Sequence, residues 1–111
     1  GDSDAALVVA SDPVAHFPRK AVEHLVSNPL VVLDPAPTPT TAMADVVIPT
    51  AWVGIEVAGT AYRMDHVPIP LKKVVEPPPG ILSDEEVLGL ILAEVRKLKG
   101  EAPEALAMAQ A

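Results

Sequence analysis

The stretch Leu30–Pro49, LVVLDPAPTPTTAMADVVIP, constrains the fold more than any other part of the chain. It opens on an apolar run, Leu30–Leu33, and closes on another, Val46–Ile48, followed by Pro49. Short continuous runs of aliphatic and β-branched residues read as strands buried on both faces. Between them lies a polar connection stiffened by Pro35, Pro37 and Pro39, with Thr38, Thr40 and Thr41 interleaved and an acid at each end, Asp34 and Asp45. Two buried strands around a rigid polar elbow make the ligand edge of an open α/β sheet.

The flanking sequence completes the unit. Ala6–Ala10 (ALVVA) is a further β-type run, ended by the turn signal Ser11-Asp12-Pro13. The turn is expected to continue through His16 and Phe17, with Pro18 at the first helical position, where its missing N–H is not needed. Ala21, Val22, Leu25 and Val26 form one apolar stripe of a helix of about three turns. Pro29 disfavours helix at Asn28 and stops it. Strand, turn, helix and strand within one short stretch is a βαβ unit with a right-handed crossover. Thr38 is placed to cap a short helical segment, Pro39–Ala44, before the third strand. The expected class is therefore α/β, with a Rossmann-like βαβ unit and a parallel sheet of about three strands.

Beyond Pro49 the pattern loosens. Residues 50–60 read as an irregular loop, and 61–65 with 67–75 as a β arm turning at Asp65-His66. The run Glu76-Pro77-Pro78-Pro79-Gly80 is a rigid linker of polyproline type. Ser83 and Glu86 have capping-box spacing, and Asp84, Glu85 and Glu86 suit a helix N-terminus. Val87, Leu88, Ile91, Leu92, Val95 and Leu98 then form one face of an amphipathic helix expected to pack on the sheet, closed by basic residues and Gly100. Residues 1–100 are read as a single α/β domain and 101–111 as an Ala-rich tail, a short helix or a frayed end.

Charge and cysteine content narrow the functions. The formal net charge is −7, and no stretch clusters Lys and Arg with aromatics. Nucleic acid and anionic membranes are therefore not expected partners. With no cysteine, disulfides, zinc–thiolate and iron–sulfur ligation within this chain are excluded. The apolar runs are too short to span a bilayer, and no basic-then-apolar segment leads the chain, so the cytoplasm is the expected compartment.

Three groups of residues carry candidate chemistry. Asp12, Pro13 and His16 follow the first strand, where turn N–H groups and side chains are able to meet a phosphate; a strand-ending Asx turn explains the same residues. Asp34 stands where dinucleotide folds place the acid that binds ribose hydroxyls, but the G-x-G-x-x-G cradle is absent, which argues against a standard NAD site. Glu56 and Arg63 are spaced for an ion pair across a hairpin, and Glu56 with Asp65 is a carboxylate pair that nothing in the sequence places in one pocket. His16, His24 and His66 lack metal-ligand spacing, and His24 reads as a solvated helix residue. No catalytic nucleophile motif and no metal site is identified.

Three segments together carry a family resemblance: ASDPVAHFP (10–18), LDPAPTPTTAMADVVIP (33–49) and GIEVAGTAYRMDHVP (54–68). In this order and spacing they resemble the C-terminal portion of the catalytic B subunit of formylmethanofuran dehydrogenases, members of the molybdopterin oxidoreductase superfamily. The A-D-V-V-I-P run (44–49) with E-x-x-G-T (56–60) carries the superfamily pattern, and Arg63–Pro68 favours the formylmethanofuran branch. The resemblance implies a domain that binds one guanine dinucleotide arm of a tungsten or molybdenum pterin cofactor. Asp12, Pro13 and His16 would line the first ligand loop, and Asp34, Thr38 and Asp45 would contact the nucleotide or hold its loops. Many relatives carry Gly where this chain has Ala10. The cysteines that bind metal and iron–sulfur clusters in the superfamily have no counterpart here, so the chain resembles an excised or separately encoded cofactor domain that does no redox chemistry alone. The implied partners are the remainder of the catalytic subunit and the other subunits of the complex, with self-association through uncovered apolar surface. Two other readings remain open. One is a cofactor-free interaction module, as in the similar large subunit of respiratory complex I. The other is an unrelated small α/β nucleotide-binding protein.

Overall fold

The computed structural model describes residues 2–100. Three strands, β1 (Ala6–Val9), β2 (Leu30–Leu33) and β3 (Val46–Ile48), form a parallel sheet in that order, with β2 central. The register pairs Val8 with Val32 and Val32 with Val47. A central strand flanked on both sides loses its backbone polar groups to the ladders, so its side chains are best buried. Leu30, Val32 and Leu33 are accordingly inaccessible to solvent and form the core with Ala51 and Val87. The α/β class and the parallel sheet expected from the sequence are thus present.

The first connection differs from the expectation. Pro13 opens a short helix, α1 (Pro13–His16), in place of a continuing turn. Pro18 then caps the next helix, α2 (Arg19–Ser27), instead of entering it. Proline's fixed φ and missing N–H suit both places. The second connection holds helix α3 (Pro39–Met43), capped reciprocally: Thr38 Oγ1 accepts from the Thr41 N–H, and the Thr38 N–H donates to Thr41 Oγ1.

A loop over 52–57 folds back on the Trp52 carbonyl and leads into an antiparallel hairpin of β4 (Gly59–Tyr62) and β5 (Pro68–Leu71). The hairpin turns at Asp65-His66 as expected, with His66 at φ 65°. Arg63 N donates to the Val67 carbonyl, so the bonded pairs alternate back from there to Ala61–Ile69 and Gly59–Leu71. Pro68 and Pro70 fall at the intervening pairs, where no N–H is needed. Gly54 takes φ +85° where Leu71 packs against it. The expected Glu56–Arg63 ion pair is not made. Glu56 Oε1 accepts from the Trp52 N–H at 3.0 Å, and Arg63 pairs with Asp65 at 2.7 Å, each partner being nearer in sequence.

The last helix, α4 (Asp84–Leu98), is brought to the sheet by a β-bridge between Thr50 and Leu82, in which Ala51 N donates to the Leu82 carbonyl. Ser83 caps it, its Oγ accepting from the Glu86 N–H at 3.1 Å. The capping box is half made, because the Glu86 carboxylate bonds the Ser83 hydroxyl instead of its N–H. Val87 is buried, and Ile91 lines a hollow of about 420 Å³ with Leu7, Val31 and Ile48. The remainder of the expected apolar face is not buried: Leu88 and Leu92 are each 37 % exposed and Leu98 86 %. A groove of about 380 Å³ runs between this face and the Ile48–Pro49 end of the sheet. None of the described helices is long and apolar enough to cross a membrane. The expected tail over 101–111 lies outside the described residues.

Candidate functional site

In a parallel sheet all strands end on one edge, and the loops leaving that edge come together. Here that edge carries Ala10 after β1, Asp34 after β2 and the Pro49–Trp52 segment after β3. Ala10 N donates to the Leu33 carbonyl, extending the ladder by one residue. It does so with φ 50°, in the left-handed region that favours glycine. The chain thereby turns sharply into Ser11-Asp12-Pro13.

Asp12 precedes α1, and its carboxylate points across to the second connection. Asp12 Oδ1 accepts from Thr40 Oγ1 at 2.6 Å and from Thr40 N at 3.2 Å. Thr40 Oγ1 in turn accepts from Val14 N at 3.1 Å. Thr40 is wholly buried, and this part-buried network ties the first loop to the elbow. Pro13 is buried beside it, and His16 is exposed at the end of α1.

Asp34 is half-buried at the end of the central strand. Its Oδ1 accepts from Ala36 N at 2.9 Å, an Asx turn that starts the elbow. Among the described residues no hydrogen bond reaches its second oxygen. Asp34 and Pro35 form a partition between two hollows. One, of about 320 Å³, runs along the elbow past Thr41 to Val47 and Pro49. The other, of about 230 Å³, is bounded by Ala10, Trp52 and Asp84. Thr38 flanks the elbow, but its hydroxyl and that of Thr41 are engaged in capping α3.

The structure brings Asp12, Pro13, Asp34 and Thr38 to one edge. It does not bring Asp45 there. Asp45 precedes β3, at the opposite end of the sheet, where its Oδ2 accepts from Leu30 N at 2.8 Å and its own N–H donates to the Leu30 carbonyl. Three strand residues separate it from the edge that carries Asp34, ~10 Å at the usual rise per residue. His16 borders neither hollow beside Asp34. His24 is not merely solvated: its Nε2 lies 3.2 Å from Ser3 Oγ, and its carbonyl accepts from Asn28 Nδ2 at 2.8 Å.

Three residues at this edge carry no distinct ligand signal in the sequence. Trp52 and Thr50 follow β3, and Asp84 opens α4. Asp84 reads as a helix-dipole acid, and only the bridge from Thr50 to Leu82 carries it to Asp34's side. No three His, Cys, Asp or Glu side chains among the described residues converge to hold a metal ion.

No protein-family model matches the chain. Among curated proteins it is 53 % identical, over 98 residues, to the B subunit of tungsten-containing formylmethanofuran dehydrogenase 2 from Methanocaldococcus jannaschii, covering 88 % of this chain and 22 % of that relative. It is 50 % identical, over 99 residues, to the protein of the same name from Methanococcus maripaludis, covering 89 % of this chain and 23 % of the relative. An assimilatory nitrate reductase of Haloferax mediterranei is 37 % identical over 98 residues, covering 85 % of this chain and 14 % of the relative. The chain thus spans less than a quarter of the length of these relatives. Its motifs and these identities agree: over almost nine-tenths of its length the chain is similar to a segment of the B subunits of tungsten-containing formylmethanofuran dehydrogenases.

Proposed function

We propose that this chain is the part of a formylmethanofuran dehydrogenase B subunit, corresponding to its C-terminal portion, that contributes to binding the nucleotide arm of the pterin cofactor. In this reading residues 1–100 act as one α/β unit in a larger cytoplasmic catalytic subunit, and that subunit carries out CO₂ reduction to formylmethanofuran or its reverse. The cofactor is a molybdopterin guanine dinucleotide with tungsten or molybdenum, and it supplies the redox chemistry when bound. This chain's own residues bind and orient. Asp34 carries the reading: one carboxylate oxygen is fixed by the Ala36 N–H, and the other is left as an acceptor between two hollows at the end of the central strand. A carboxylate so held suits ribose hydroxyls or ring N–H groups. Asp12, Pro13, His16 and Thr38 would shape the loops around it. Asp45 would hold the far end of the sheet.

The test is binding of guanosine diphosphate or the pterin dinucleotide by calorimetry. Asp34→Asn keeps an oxygen for the Ala36 N–H and replaces the other with a donor. It is expected to weaken binding about tenfold or more, the scale of a lost charged hydrogen bond. Absence of binding at millimolar ligand, with the fold intact, would overturn the reading.

A second reading, a cofactor-free interaction module, is favoured by one specific observation. Asp12, Thr38, Thr40, Thr41 and Asp45 all make hydrogen bonds within the chain. Indifference to nucleotide, together with stable association with another subunit, would select it.

A further inference from the structure

The hairpin of β4 and β5 has two outer edges of different chemistry. Across it Thr60 faces Pro70 and Tyr62 faces Pro68, and these are the pairs that exchange no hydrogen bond. Residues at such pairs turn their backbone polar groups away from the partner strand. On β5 those residues are Pro68 and Pro70, so its outer edge offers two carbonyls and no donor. Proline at outward positions is one of the ways a strand edge is closed to further pairing. On β4 they are Thr60 and Tyr62, each with an N–H and a C=O. Among the described residues no strand lies on that side of β4, and Thr60, Ala61 and Tyr62 are all exposed. The hairpin is therefore closed to a third strand along β5 and open to one along β4.

We propose that the outer edge of β4 takes an extended polypeptide strand supplied by the rest of the B subunit. The strand exchanges hydrogen bonds with the N–H and C=O groups of Thr60 and Tyr62 and turns the hairpin into a three-stranded sheet. A two-stranded ribbon is marginal by itself, and a third strand is the usual remedy. A second copy of this chain fits the edge less well. With four residues, β4 spans ~13 Å, and pairing along it alone falls well short of the ~1,200 Å² that a stable interface between separate chains buries. A strand of the same polypeptide is kept close by the chain that joins it, so a short edge suffices. The relatives have the length to supply one, since the matched region is 22 and 23 % of them. The proposal rests on the reading of this chain as a segment of that subunit. It adds a contact made by the hairpin backbone, apart from the sheet edge that carries Asp34.

The test compares amide hydrogen exchange in the chain alone with exchange in a whole B subunit, rebuilt by putting this chain in place of the matched segment of the Methanocaldococcus jannaschii relative. In the chain alone the Thr60 and Tyr62 amides are expected to exchange at least tenfold faster than those of Ala61 and Arg63, which are bonded to β5. In the rebuilt subunit they are expected to slow about a hundredfold or more, to the level of Ala61. Tyr62→Pro removes one outward donor at a pair that needs none, as β5 does naturally, so the hairpin is retained. In the rebuilt subunit it is expected to speed exchange at Thr60 at least tenfold and lower the melting temperature. Tyr62→Phe keeps the backbone donor and is expected to change neither. Equal exchange of Thr60 and Tyr62 in the two settings would overturn the proposal. So would protection of Thr60 that survives Tyr62→Pro, because burial without pairing gives that result. Unprotected Thr60 and Tyr62 amides in a rebuilt subunit that binds guanosine diphosphate would remove this inference and leave the nucleotide reading standing. A rebuilt subunit that does not assemble would overturn the subunit reading and this inference with it.

Discussion

Thr40 ties the loop after β1 to the elbow after β2. It is inaccessible to solvent, gives its hydroxyl proton to Asp12 and receives the Val14 N–H. Valine has nearly the same shape and neither function, so Thr40→Val leaves the part-buried Val14 N–H without a partner and Asp12 Oδ1 with only the Thr40 N–H. The expected loss is about 1–3 kcal/mol, the cost of one unsatisfied buried group, and denaturant unfolding measures it. Ala10 presents the opposite case. A Cβ at positive φ costs ~1 kcal/mol, more than the entropy that glycine adds to the unfolded chain. Ala10→Gly is expected to stabilise by about 0.5–1 kcal/mol, read as a raised urea midpoint with unchanged slope. The acids at the strand ends were legible in the sequence because strand and turn are local patterns. Their division of labour was not, because Asp12 meets a partner 28 residues away and Asp45 meets one 15 residues away. Spacing places an acid at a strand end. It does not say which carboxylate oxygen is already taken.

At the scale of elements, local chemistry settled most boundaries. Proline at the start of α3 and threonine before it made that helix readable, and the reciprocal cap between Thr38 and Thr41 is its physical counterpart. Helix α4 was legible for the same reasons, and its cap carries a direct test. Ser83→Ala removes the hydroxyl that accepts the Glu86 N–H, and a loss of about 1 kcal/mol is expected. The loss should appear as faster amide exchange in the first turn of α4, before the sheet is affected. Helix α1 is not legible in the sequence, because four residues hold too little periodicity to distinguish a helical turn from a loop. The prolines of β5 argue against a strand by propensity, yet they sit at the pairs of the hairpin that need no N–H. Register, not composition, admits them.

On the scale of the whole molecule, the sheet is only partly covered. Parallel sheets are ordinarily buried on both faces, whereas Leu7, Val46 and Val47 are between 43 and 49 % exposed. The groove between α4 and the sheet adds Leu90, at 58 % exposure, and Leu98. In the proposed setting the remainder of a larger subunit covers this surface, in line with relatives more than four times as long as the matched region. Without that cover the chain is expected to self-associate as its concentration rises. Sedimentation velocity should show this, and Leu90→Lys with Leu98→Lys should suppress it without altering the Asp34 edge.

The sequence by itself determined the α/β class, the three parallel strands, the hairpin, the capped helices and the family resemblance. Each of these rests on short-range patterns: strand runs, proline, caps and motifs read within a few residues. Only the tertiary structure decided which acid keeps an unengaged oxygen at the strand-end edge and which serve as staples. It also decided that Asp84 belongs beside Asp34, and that most of α4's apolar face is left open. These outcomes depend on pairings between distant residues, such as Asp12 with Thr40 and Thr50 with Leu82, and no local pattern encodes a pairing.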